Sequence, residues 1–143
     1  SAIARLSDRL YIAGRVEATG DSFPAAVRIE AIDLARSSRA SARDFKTAAG
    51  VHRSSLVAHP EYIPVLLEGE MGDHDAAARA AALSISLVNR STGAALDPIA
   101  IGDRFANDEG GTCLATLVAT PTRVIVQYNG VIVGFGTTRG IKP

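Results

Sequence analysis

Arg123-Val-Ile-Val-Gln-Tyr-Asn-Gly-Val-Ile-Val-Gly-Phe-Gly136 sets Asn129-Gly130 between two β-branched runs. Both central residues of a type I′ turn need positive φ, which Asn and Gly tolerate, so the dipeptide predicts a two-residue hairpin with a fixed register. Tyr128 then faces Val131, Val126 faces Val133, and Val124 faces Phe135. That wholly apolar face reads as core. The opposite face carries Arg123, Ile125, Gln127, Ile132, Gly134 and Gly136. Its glycines leave a bare strip that another strand, subunit or ligand can approach closely.

Working back from the hairpin, Cys113 to Thr120 reads as a strand and Pro121-Thr122 as its turn. At the other end of the chain, Arg9 to Thr19 alternates Leu10, Ile12, Gly14 and Val16 against Tyr11, Ala13, Arg15 and Glu17. Ala25 to Leu34 alternates Val27 and Ile29 against Arg28 and Glu30. Period-two patterning of this kind predicts an N-terminal hairpin across the Gly20–Pro24 turn cluster. Ser1 to Asp8 reads as a short helix or an arm.

The middle third changes character. Ser41-Ala-Arg-Asp44 resembles a capping box with Gly50 beyond it, which predicts a short helix over Ala42–Ala49. Val51 to His59 reads as loop or extended chain. Pro60-Glu-Tyr-Ile-Pro64 can open a second helix through Leu67. Residues 76–82 favour helix by propensity and 82–89 alternate like a strand. Residues 94–101 read as a short strand interrupted by Pro98, and 102–112 as a polar loop. The expected architecture is α+β. A mostly antiparallel sheet, built from the N-terminal hairpin and the C-terminal meander, carries short helices of the middle third on one face. One domain over 1–143 is the default for this length.

Hydrophobic residues make up 47% and charged residues 21%, with a formal net charge of +0. Nothing global pulls the chain toward nucleic acid or an anionic surface, and little self-repulsion opposes association. Of the 15 basic residues only Lys46 and Lys142 are Lys. The single Cys113 rules out an internal disulfide and a cysteine-rich zinc site. No apolar run approaches the ~20 residues of a membrane span. No signal peptide is visible, which points to a cytoplasmic or virion location. Ser1 in first place fits removal of an initiator Met or of a leader.

Candidate chemistry is sparse. His59, Glu70, Asp73, His74 and Asp75 are ligand types, with Asp73, His74 and Asp75 adjacent, but their spacing matches no metal frame and reads as a solvated turn. Asp103, Asn107, Asp108 and Glu109 do not keep the alternation of a calcium loop. Cys113 with His52, His59 or His74 as base would make a nucleophile, yet it opens an apolar run and free Cys is usually buried. No phosphate-binding glycine loop and no Gly-x-Ser-x-Gly elbow occurs. No cofactor is implied. Arg36, Arg39, Arg43, Lys46 and Arg53 form a basic segment able to meet phosphates, though it lacks the aromatic residues of single-strand binders. The acidic segment Glu61, Glu68, Glu70, Asp73 and Asp75 can face it from another copy, although both segments read first as solvated surface. Copies of the same chain are the expected partner, with nucleic acid through Arg36, Arg39 and Arg43 only weakly supported and no membrane expected.

The expected function is a non-enzymatic structural subunit of a homo-oligomer, of shell, tube or virion type. Arg36, Arg39, Arg43, Gly134, Gly136 and Arg139 are its expected contact residues. The alternative is a small enzyme or small-molecule-binding module with a pocket between sheet and helices.

Overall fold

A computed structural model describes residues 2–16, 26–46, 51–69, 83–105, 115–128 and 130–136. Through these residues the chain runs β1 (Ala2–Leu6), β2 (Arg9–Arg15), β3 (Ala26–Asp33), β4 (Ser38–Lys46), β5 (Val51–Leu56), β6 (Tyr62–Gly69), β7 (Leu83–Asn89) and β8 (Ile99–Ala100). A 3₁₀ turn, Gly102–Phe105, precedes β9 (Thr116–Ala119), β10 (Arg123–Tyr128) and β11 (Val131–Gly136). The architecture is therefore antiparallel β, not α+β, and no α-helix occurs among the described residues.

Among the described residues three sheets form, ordered β1-β2-β3-β4, β5-β6-β7-β8 and β11-β10-β9. They stack as three layers, with β5–β8 in the middle. On one side Ile63, Val65, Leu67, Leu56 and Val88 of the middle sheet pack against Tyr11, Ala13, Val27, Ile29 and Ala31 of the N-terminal sheet. On the other side Tyr62, Leu66, Leu83 and Ile85, joined by Ile101 and Phe105, pack against Leu117, Val124, Val126 and Tyr128 of the C-terminal sheet. Successive side chains on a strand point to opposite faces, so a strand covered on both sides reads as a near-continuous apolar run rather than an alternation. Residues 62–68 of β6 are all buried.

That double burial overturns the expected helix over Pro60–Leu67. An unbroken apolar run does not alternate, and two flanking prolines imitate a helix start. Pro64 has no N–H to donate, and its missing bond falls where β5 ends: Val57 N–H donates to the Pro64 carbonyl at 3.4 Å and nothing returns.

The helix expected over Ala42–Ala49 is also corrected: 42–46 lie within β4. Asp44, read as a capping acid, is instead the cross-strand partner of Arg28, which donates to it through Nε at 2.7 Å and NH2 at 2.9 Å. The β4 side chains described from Ser38 to Asp44 are exposed except Ser41, which is half-buried. An edge strand wet on both faces shows no apolar period. The N-terminal segment, read as helix or arm, is β1, paired with β2. Val51–Leu56 is extended, within the expectation for that segment.

The expected hairpins form. β2 pairs with β3, and β10 pairs with β11 as Tyr128↔Val131, Val126↔Val133 and Val124↔Phe135. Gly130 sits at φ 74°, as the turn requires. The strand over 82–89 appears as Leu83–Asn89, and the helical reading of 76–82 falls outside the described residues.

One corner laces the layers together. Arg90 donates through NH2 to Asp8 Oδ1 at 2.9 Å and through NH1 to the Pro60 carbonyl at 3.3 Å. The Arg90 carbonyl accepts from Arg9 NH1 at 3.0 Å. Turns from the N-terminal and middle sheets are thus tied at one residue. On the other side the Tyr62 hydroxyl donates to the Thr120 carbonyl and binds the C-terminal sheet at the β9–β10 turn.

Candidate functional site

The two outer layers of the stack each turn an apolar strip outward. On the C-terminal sheet the pairs Ile125↔Val118, Ile125↔Gly134, Gln127↔Ile132 and Arg123↔Gly136 place these side chains on one face. Val118 is 47% and Ile132 68% exposed, and Gly134 and Gly136 lie open beside them. A side chain at Gly136 would meet nothing within 4 Å, whereas at Gly134 it would touch the Arg123 side chain at 3.7 Å. The bare strip read from the hairpin is therefore real, and Arg123 leans across part of it.

The N-terminal sheet carries a second strip that the sequence reading missed. Ile3↔Ile12 and Leu10↔Ile32 are cross-strand pairs on its outer face. Ile3 is 67% exposed, and Leu10, Ile12 and Ile32 are half-buried. The inward set on β2 is Tyr11 and Ala13, so this strand is apolar on both faces although only one is covered. That double pattern was the available signal, because a strand with one wet face alternates with polar residues. Around the strip stand Arg5, the Arg39–Glu30 pair at 3.1 Å and the Arg28–Asp44 pair at 2.7 Å. The Arg28 guanidinium, by hydrogen bond and charge, holds Asp44 below its ordinary carboxylate range.

The expected contact residues divide between these layers. Arg39 stands on the rim of the N-terminal strip, Arg36 is exposed in the β3–β4 turn, and Arg43 is exposed on the other face of β4. Gly134 and Gly136 lie on the C-terminal layer, so the structure does not bring the two groups together. Arg139 falls outside the described residues, as do Asp73, His74, Asp75 and Cys113, and so does the side chain of His52.

His59 serves the β5–β6 turn. Its Nδ1 accepts from the Glu61 N–H at 3.3 Å and its ring lies 4.6 Å from that of Tyr62. Among the described residues no group of three His, Cys, Asp or Glu side chains is placed to hold a metal. Among the described residues no helix stands to wall the pocket expected between sheet and helices.

Glu68, read earlier only as part of an acidic segment, is the one buried carboxyl among the described residues. It lies on the middle-sheet face turned toward the C-terminal sheet, opposite Leu83. Burial pushes it above the ordinary Glu range, and Arg53 at 3.7 Å pulls weakly the other way. Comparisons with family models, with curated proteins and with solved structures find no match to the chain.

Proposed function

We propose that this chain is a non-enzymatic structural subunit of a homo-oligomer, of the shell, tube or virion type. The observation that carries the reading is the pair of apolar strips on opposite outer layers. One centres on Ile3, Leu10, Ile12 and Ile32, the other on Val118, Ile125 and Ile132. An apolar centre inside a charged rim is the anatomy of a protein–protein contact. Here the rim is Arg5, Arg28, Arg39, Glu30 and Asp44. A formal net charge of +0 leaves little long-range repulsion between copies. Two different faces on one subunit also allow head-to-tail contact, which builds rings or open filaments rather than closed pairs.

Light scattering across micromolar concentrations tests the reading. A mass of several chains is expected, and Ile12→Lys and Ile125→Lys, each charging one strip, are expected to lower it. A mass of one chain throughout that range overturns the proposal.

A further inference from the structure

Each sheet of the stack has two edges, and the edges are not alike. β1 spans Ala2–Leu6 and carries Arg5. β4 carries Arg39, Arg43 and Asp44, and its pairing slips between Ala31 and Ile32. β5 carries Arg53 and is also irregular, β8 has 2 residues, and β9 has 4. Charge, irregularity and shortness are the means by which a strand edge is kept from pairing with another chain. β11, Val-Ile-Val-Gly-Phe-Gly, has none of them. It is 6 residues long, uncharged, without proline and in regular register with β10.

We infer that β11 is a strand-pairing edge whose partner is β11 of a second copy, joined antiparallel about a two-fold axis at Gly134. The inference rests on the assembly reading above and adds to its face contacts one made by a strand edge. Backbone parity comes first. The residues flanking a two-residue hairpin exchange hydrogen bonds, and alternate pairs do not. Tyr128↔Val131 flanks the turn, so Val131, Val133 and Phe135 bond inward to β10. The Thr120 N–H donation to the Arg123 carbonyl fixes the same parity from the β9 side. The N–H and C=O groups of Ile132, Gly134 and Gly136 therefore point away from the sheet.

Side chains then select the partner. An axis at Gly134 sets Ile132 opposite the partner's Gly136 and Val133 opposite the partner's Phe135. Ile132 is exposed, and position 136 is open on the same face, so the isoleucine of each copy fills the gap left by the glycine of the other. On the inner face Val133 and Phe135 are half-buried, and each gains an aromatic–aliphatic neighbour across the new junction. The sequence of β11 is complementary to itself in this antiparallel register and carries no charge of its own, while the Arg123 side chains that lean over Gly134 from each copy meet near the axis and must turn outward to solvent.

The test is amide exchange on the unaltered chain, followed across a dilution series, together with two variants. The Ile132, Gly134 and Gly136 amides are expected to be protected at concentrations where the chain associates and to exchange freely on dilution. Gly136→Val meets no obstacle within one chain but fills the gap that Ile132 of a second copy needs, so it is expected to weaken association about tenfold. Gly134→Pro removes the N–H at the axis, is tolerated on an edge strand, and is expected to abolish the pairing. If Gly134→Pro does not fold, the amides of the unaltered chain decide alone. A chain that associates while these amides exchange freely, or whose Gly136→Val variant associates undiminished, overturns β11 pairing and leaves the assembly reading standing. A single-chain mass overturns both.

Discussion

Glu68 and Gly130 show how single positions set local energies. The folded state holds the Glu68 proton more tightly than the unfolded chain does, because burial penalises the carboxylate. Its contribution to stability is therefore fully present below the unfolded value, near 4.5, and is lost as pH rises through the raised one. Glu68→Gln removes the buried charge. It is expected to raise stability at pH 7 by about 1 kcal/mol and to change little near pH 4, as read by urea unfolding at both pH values. An equal effect at the two pH values would show that the carboxylate is not the cause. Gly130, at φ 74°, takes a backbone conformation that a side chain disfavours. Gly130→Ala is expected to cost about 1 kcal/mol in the same measurement. Tyr11 is 2% exposed and its hydroxyl has no hydrogen-bond partner among the described residues. Tyr11→Phe is expected to be neutral or stabilising by up to about 1 kcal/mol, because it deletes a desolvated polar atom and leaves the ring in place.

At the scale of elements, the strands with a turn signal or a clean alternation were legible. Asn129-Gly130 announces β10 and β11 with their register, and Val27 and Ile29 announce β3, because these features act between neighbours in sequence. β6 was not legible as a strand. Its apolar run is the product of two sheets covering it from opposite sides, and neither cover can be seen from residues 60–67. β4 failed for the opposite reason, since an edge exposed on both faces carries no burial pattern. The candidate surface was half legible. The glycine strip on β11 is a local property of the hairpin, whereas the outward strip on the N-terminal sheet needs β1, β2 and β3 in register before Ile3, Leu10, Ile12 and Ile32 meet. The corner at Arg90 was not legible either, because it joins the β1–β2, β5–β6 and β7–β8 connections. Arg90→Ala is expected to destabilise by about 1–2 kcal/mol. Arg90→Lys recovers little of that, because a single ammonium does not reproduce the guanidinium fork that reaches Asp8 and Pro60 together.

Across the whole molecule, three antiparallel layers put the most apolar strand at the centre and leave both outer faces open to solvent in the single chain. Charging the two strips separately distinguishes modes of association. If contacts run head to tail, Ile12→Lys and Ile125→Lys each disrupt the same interface from opposite sides, and sedimentation of the two variants is expected to match. A mixture of the two then reforms limited pairs through the unaltered face of each. If each strip meets its own copy, each variant alone still pairs through its unaltered strip and stops at two chains, and the mixture behaves as their sum.

The middle layer has a consequence for synthesis. A chain ending after β8 has its N-terminal sheet and centre in hand but lacks the cover for Tyr62, Leu66, Leu83 and Ile85. Until the last hairpin arrives, those side chains are wet, and the nascent polypeptide presents them to whatever else is apolar nearby. Shortened chains lacking β9 to β11 should therefore take up a hydrophobic dye and precipitate, making the final strands a gatekeeper of solubility for all that precedes them.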